Sequence, residues 1–106
     1  MNNCVWLYLD DERPLPVGYD ILVPDYTSCI NLINLLTEHN IEFVMSFDHD
    51  IGDPYFSGYT VAKYIVEHQI PMRSFLIHSA NQVGREAIRQ LLTNYGYKEE
   101  GEKYDR

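Results

Sequence analysis

Two kinds of apolar run alternate along the chain. Cys4 to Leu9 (Cys-Val-Trp-Leu-Tyr-Leu) is unbroken, short and rich in β-formers, which predicts a strand buried on both faces rather than a helix. It stops at Asp10-Asp11. Residues 12–19, with Pro14, Pro16 and Gly18, leave no room for a regular element and predict a loop, followed by a second short strand at Ile21-Leu22-Val23. From Thr27 or Ser28, either of them a suitable N-cap, Cys29, Leu32, Ile33 and Leu36 recur at helical spacing to about Asn40. A third strand, Phe43 to Phe47, ends in Asp48-His49-Asp50. A loop with Gly52 and Pro54 then leads to Ser57, which caps a helix presenting Val61, Ala62, Ile65 and Val66 inward to about Gln69, ahead of Pro71. Phe75-Leu76-Ile77 is the fourth strand and closes on His78-Ser79-Ala80-Asn81. The last helix, about Gln82 to Tyr95, gathers Val83, Ala87, Ile88, Leu91 and Leu92 on one side, and Gly96 suits its C′ position. The polar tail from Tyr97 is read as an added edge strand or a mobile end.

Short apolar strands alternating with amphipathic helices predict one α/β domain over residues 1–106, a parallel sheet with helices on both faces. Right-handed crossovers place the C-terminal ends of all its strands on one edge, where open α/β sheets bind ligands. The polar clusters at 10–12, 48–50 and 78–81 each follow a strand, so three separate stretches converge there. No internal repeat or second domain is evident.

The sequence holds 16 Asp+Glu against 8 Lys+Arg, a formal net charge of −8. A domain of this size buries roughly 65% of its unfolded surface, enough for a core without staples. The acidity disfavours long nucleic acids and anionic membranes, both of which need a positive contact surface, and leaves a DNA-mimicking inhibitor open. Its distribution says more: residues 1–62 carry ten acids and one base, Arg13, whereas residues 63–106 carry six acids and seven bases. Cys4 and Cys29 lie in apolar runs without metal or disulfide spacing. The start Met-Asn-Asn lacks the basic n-region expected of a signal peptide, and no apolar run approaches the ~20 residues of a membrane span. These features predict a soluble, cytoplasmic protein.

Strands ~4.8 Å apart let side chains from three neighbouring ends enclose one small ion or one phosphate-sized group. Asp10, Asp11, Asp48 and Asp50 are then four carboxylates in one cleft, and charges so close repel unless a cation intervenes. Oxygen donors suit Mg²⁺ (or Mn²⁺), which combines carboxylates with waters and a substrate phosphate. Taken singly, each Asp also fits a helix cap or a turn. His49 and His78 stand at strand ends with a side-chain pKa near ~6.5, suited to proton transfer, so Asp48, His49, Asp50 and His78 are the catalytic candidates. His39 and His68 lie near helix ends, where dipole interaction accounts for them.

Ser79, Asn81 and Arg85 flank the start of the last helix, whose free N–H groups favour an anion. With Arg13 they form the candidate phosphate cradle opposite the metal; the alternative is an ordinary cap at Asn81 with Arg85 paired to a surface acid. Gly84 beside Arg85 allows close approach. Tyr8, Tyr19, Tyr26, Tyr55, Tyr59, Tyr64 and Phe56 are many aromatics for a short chain. Tyr55-Phe56, just after the acidic cluster, is placed to stack on a base, while most of the others are expected in the core or at its boundary.

With Asp10-Asp11 after the first strand, Asp48 after the third and Ser79 after the fourth, the chain resembles the receiver domain of two-component signalling. The resemblance implies a flavodoxin-like, doubly wound, three-layer α/β/α fold of four or five strands in order 2-1-3-4(-5). It also implies Mg²⁺ held by Asp10, Asp11 and Asp48, a backbone carbonyl given to the metal at Asp50, and Ser79 against the phosphoryl group. The chain departs from that pattern in three ways. Lys98 and Lys103 lie in the polar tail rather than after a fifth strand, the Pro-rich loop replaces the first receiver helix, and two His enter the site. Four segments are similar to the cyclic-phosphate-processing receiver domain: Leu-Tyr-Leu-Asp-Asp-Glu-Arg-Pro (7–14), Asp-His-Asp-Ile-Gly (48–52), Gly-Tyr-Thr-Val-Ala (58–62) and Ile-His-Ser-Ala-Asn-Gln-Val-Gly-Arg-Glu (77–86). This closer resemblance covers nearly all the chain up to about Leu92 and implies a metal-dependent domain that acts on, or binds, a cyclic phosphate or nucleotide.

The leading expectation is a metal-dependent phosphoesterase that opens a cyclic phosphodiester. Asp10, Asp11 and Asp48 hold the cation, Asp50 or His49 accepts a proton, His78 protonates the leaving oxygen, and Ser79, Asn81 and Arg85 stabilise charge. The partner is a small phosphate ligand, a cyclic nucleotide or a cyclic phosphate end. A second expectation is a signalling receiver phosphorylated on Asp48, and a third is a non-catalytic nucleotide-sequestering or inhibitor module. Asp48-His49-Asp50 also resembles the DxD of haloacid-dehalogenase-type phosphatases, whose usual parts do not fit in a chain this short.

Overall fold

The apolar runs pair into one parallel sheet in the computed structural model, which describes residues 4–101. Strands β1 (Val5–Leu9), β2 (Ile21–Val23), β3 (Phe43–Phe47) and β4 (Ser74–Ile77) lie in the order β2-β1-β3-β4, with helices α1 (Tyr26–Glu38), α2 (Gly58–Glu67) and α3 (Gln82–Asn94). The four parallel strands and their order are those of the receiver-like, doubly wound expectation. From β1 the chain moves outward to β2, then returns past β1 to β3 and on to β4. The direction therefore reverses once, and the switch point lies between β1 and β3.

That path decides which face each connection covers. The crossovers from β2 to β3 and from β3 to β4 run the same way, so right-handedness puts α1 and α2 on the same face. Helix α3 leads onward to Glu99, which bridges Phe75 in parallel and continues in that direction. Accordingly Cys29 and Ile33 of α1, Ala62 and Ile65 of α2, and Ile88 and Leu92 of α3 all join one core cluster with Leu7, Leu9, Phe43, Met45, Phe47 and Phe75. The connection from β1 to β2 runs the opposite way and crosses the other face. Pro14, Pro16 and Gly18 prevent it from being helical, and it packs instead through Tyr19, whose ring meets Trp6 at 5.6 Å and Tyr8 at 5.1 Å, both edge-on. The expectation of helices on both faces is corrected here: among the described residues all three lie on one face, and the second face carries the Pro-rich loop.

Element ends differ in detail. Helix α1 starts at Tyr26 because Asp25, rather than Thr27 or Ser28, is its N-cap, its carboxylate accepting from Ser28 N at 2.8 Å. Helix α2 ends at Glu67, with His68 as C-cap and Gln69 already at φ +51°. Ser57 and Asn81 cap α2 and α3, and Gly96 adopts φ +92° beyond α3, as the sequence predicts. The tail forms a single bridge, with Phe75 N donating to Lys98 O and Glu100 N to Phe75 O. Residues 102–106 lie outside the described residues. No helix among the described residues is long and apolar enough to cross a membrane.

Candidate metal and phosphate cleft

The register of the sheet builds the site. Leu9 pairs with Phe47, and Phe47 with Ile77, so the residues that follow, Asp10, Asp48 and His78, leave the C-terminal edge at one level. Strand alternation directs them to the face of Tyr8, Ser46 and Leu76, away from the helices. One ligand atom from each of the three lies within 4.8 Å of the others.

Asp10 is fully buried and its carboxylate is committed. Oδ1 accepts from Glu12 N at 2.8 Å and from Arg13 N at 2.7 Å, closing the turn into the loop, and Oδ2 meets His78 Nε2 at 2.9 Å. Burial alone would raise its pKa. The backbone donors and His78 outweigh burial and hold the carboxyl below its ordinary value.

His78 is clamped from three sides. Its ring stacks on Tyr8 at a centroid distance of 4.0 Å, Nδ1 lies 2.7 Å from Ser46 Oγ, and its carbonyl accepts from Arg13 at 2.8 Å. Burial pushes the imidazole pKa down, and the Asp10 hydrogen bond offsets this only in part, so the ring is neutral at pH 7. Ser46 is a partner that the sequence reading passed over. The signal was a single hydroxyl inside the apolar run Phe-Val-Met-Ser-Phe.

Asp48 is the opposite of Asp10. Among the described residues its carboxylate has no hydrogen bond or ion pair, although it stands in the same row. Its backbone, by contrast, is pinned: a Cβ on Gly58 would come within 1.9 Å of Asp48 O, and Gly58 N donates to His49 O at 2.8 Å. Only glycine lets α2 begin this close to the acidic loop.

The remaining carboxylates surround the row without joining it. Asp11 reaches Gly52, where φ is +70° and a Cβ would lie 2.6 Å from Asp11 Oδ2. Asp50 bonds His49 Nδ1 at 2.9 Å, with Asn81 Nδ2 at 3.4 Å, and these contacts lower its pKa, the His49 bond most. The His49 side chain packs closely against Gly84, so the glycine beside Arg85 accommodates a histidine rather than a ligand. Asn81 both caps α3 through Gly84 N at 2.9 Å and donates toward Asp50. Ser79 is buried and accepts from Asn81 N at 3.1 Å. Asp53 closes a turn onto Tyr55 N and Phe56 N.

Asp10, Asp11, Arg13, Asp48, Asp50, Ser79 and Asn81 thus line one cleft of about 330 Å³. Three proposed members do not line it. The His49 ring supports Asp50 from behind, and Arg85 lines a different cleft, of about 540 Å³, with Leu76, Tyr19 and Pro16 over the helix-free face. His78 reaches the row only through its contact with Asp10 and lines that neighbouring cleft with Tyr8 and Ser46. Phe56 stacks on Tyr26 at 4.3 Å and Tyr55 points to solvent, so neither lines the acidic cleft. Lys98 sits with Arg73 and Ser74 beside the start of β4, away from the acids, and Lys103 lies outside the described residues.

The donor set suits a divalent cation. Adjacent ligands of an ion with bond lengths of ~2.1 Å stand ~3 Å apart, close to the 2.9 Å between Asp10 Oδ2 and His78 Nε2. Two carboxylates and an imidazole are donors that first-row divalent ions accept together. A parallel sheet with acids at its switch point defines a receiver-like domain. Residues 5–94 match the model of the cyclic-phosphate processing receiver domain, and the chain belongs to that family. No curated protein and no solved structure matches it.

Proposed function

We propose that the domain binds a small cyclic phosphate ester in the acidic cleft and hydrolyses it with a divalent cation held by Asp10 and Asp48. The observation that carries this reading is the contrast between two carboxylates in one row: Asp10 is saturated by protein donors, whereas Asp48 has no hydrogen-bond donor among the described residues and stands beside it. Two carboxylates this close repel, and a cation between them would offset the repulsion that Arg13, half-exposed and facing both, relieves only in part. The family's connection with cyclic phosphates supports the choice of ligand.

The cation, when bound, polarises the phosphoryl oxygen and makes a water more acidic. Arg13, whose guanidinium is fixed by the His78 carbonyl at the cleft wall, and the Ser79 and Asn81 groups receive the phosphate oxygens. Asp50, oriented by His49, accepts the proton of the attacking water. One P–O bond forms to water and one ring P–O bond breaks, giving a monoester. The leaving oxygen takes its proton from solvent at the open mouth of the cleft, because both ring nitrogens of His78 are engaged. Turnover of 2′,3′- and 3′,5′-cyclic nucleotides in the presence of Mn²⁺ or Mg²⁺, lost in Asp48→Asn, is the expected result. Tight binding with the ester recovered intact would instead favour sequestration.

The signalling-receiver reading would place a phosphoryl group on Asp48. The acidic cleft has no lysine among its described lining residues, which weighs against that chemistry.

A further inference from the structure

We propose that His78 is the third cation ligand, through Nε2, and that Ser46 is the positioning residue that lets the ring change tautomer to become one. This rests on the divalent-cation reading above and adds to it a ligand and a device in the sheet behind the cleft.

The protons can be placed from the partners. A carboxylate only accepts, so the neutral His78 ring carries its hydrogen on Nε2, toward Asp10 Oδ2 at 2.9 Å. Nδ1 is then bare and accepts the Ser46 hydroxyl at 2.7 Å. Ligation through Nε2 needs a lone pair on that nitrogen, so its proton must leave it while Nδ1 gains one. The ring begins and ends neutral. What must reverse is the hydrogen bond at Nδ1, where the new N–H requires an acceptor.

Ser46 meets that requirement because a hydroxyl donates or accepts by rotating about one bond. Water is a poor substitute, since Ser46 is 1% exposed. Swinging the ring away is no escape either, because Tyr8 lies stacked against it with an interplanar angle of 10°. The same burial argues against reading Ser46, His78 and Asp10 as a nucleophilic triad: the Ser46 oxygen sits within the sheet and is almost closed to solvent. A metal-bound imidazole whose other nitrogen is held by the protein is the usual arrangement, and loss of such a partner weakens metal binding roughly 10- to 100-fold. A nitrogen ligand also shifts preference from Mg²⁺ toward Mn²⁺, Fe²⁺, Co²⁺ or Zn²⁺.

The test is ¹⁵N NMR of the His78 ring, with calorimetric titration of Zn²⁺, Mn²⁺ and Mg²⁺. The metal-free protein should show hydrogen on Nε2, and Zn²⁺ should move it to Nδ1 while Nε2 takes on the shift of a metal-bound nitrogen. Ser46→Ala should weaken Zn²⁺ and Mn²⁺ binding roughly 10- to 100-fold. Ser46→Thr, which keeps the hydroxyl, should recover most of it. If Zn²⁺ binds at Asp48 and His78 keeps its Nε2 hydrogen, the proposal is overturned and the cation reading stands. If none of the three ions binds, both fall. Because the tautomer measurement uses the unaltered chain, it decides the matter even if Ser46→Ala does not fold.

Discussion

Asp10 and His78, 68 residues apart in sequence, join the first and last strands' ends through a 2.9 Å contact on the helix-free side of the sheet. Both groups have pKa values below their ordinary ones, and both shifts act on stability in the same direction. For His78, the unfolded chain binds a proton below about pH 6.5, while the fold resists it, so stability falls as pH drops below that point. For Asp10, the stability gained from its depressed pKa is present above about pH 4 and is lost as pH falls through the folded value. Urea midpoints should therefore be level above pH 7, fall once below about 6.5 and fall again below about 4. His78→Gln should remove the first step and keep the second. Stability that rises between pH 7 and pH 5 would contradict this assignment of protonation states.

Removing the two aspartates separately should divide structure from function. Asp10→Ala strips an acceptor from two backbone N–H groups and from His78, inside the protein, and should cost about 3 kcal/mol in urea denaturation. Asp48→Ala removes a carboxylate with no hydrogen bond among the described residues and relieves repulsion with Asp10. Its stability should be unchanged or higher, within about 1 kcal/mol, while cation binding is lost. A large destabilisation by Asp48→Ala would mean that its carboxylate is structural, and the cation reading would lose its main support.

Two glycines hold the acidic loop, with different expected costs. At Gly58 an added methyl meets the Asp48 carbonyl at 1.9 Å, and backbone cannot yield as a side chain does. Gly58→Ala should destabilise by about 3 kcal/mol and also weaken cation binding. At Gly84 the methyl meets the His49 ring at 2.4 Å and His49 Cβ at 2.9 Å; the side chain can yield more than backbone does, but turning the ring leaves the Cβ contact in place. Better helix propensity offsets part of that strain, so Gly84→Ala should cost about 1–2 kcal/mol, less than Gly58→Ala. It should also break the His49–Asp50 contact, visible as a shift of the His49 ring resonances. Equal costs at both sites would mean that the loop is fixed elsewhere.

The strands and the edge where the polar clusters gather were legible because each apolar run is short and three of the four end in Asp or His, while the strand order followed from the resemblance to receiver domains. Membership of the cleft was legible for Asp10, Asp11, Arg13, Asp48, Asp50, Ser79 and Asn81. The closer grouping was not, because it depends on register. Only the pairing of Leu9 with Phe47 and of Phe47 with Ile77 puts His78 level with Asp10 and Asp48, and periodicity within one strand carries no information about the next. Ser46 escaped notice for the same reason, as a hydroxyl in an apolar run has no meaning until its cross-strand neighbour is known. The one-sided helix layer follows from topology: Pro14, Pro16 and Gly18 removed the only crossover among the described elements that runs the other way.

Arg13 and Arg85 offer the last separation, because the sequence placed both at the phosphate and the structure divides them. Arg13 donates to the His78 carbonyl at 2.8 Å, has Nε 3.9 Å from Asp10 Oδ2 and lines the acidic cleft, so its charge is fixed where an anion would enter. Arg85 lines the cleft over the helix-free face, together with His78. With 2′,3′-cyclic AMP titrated in the presence of Mn²⁺, Arg13→Gln should weaken binding about 10-fold, the effect of losing one charge-assisted contact of about 1.4 kcal/mol. Arg85→Gln should leave the affinity within about twofold. Calorimetry on both variants reads the difference directly. An equal loss at Arg85 would return the phosphate to the start of α3 and would mean that the ligand spans both clefts.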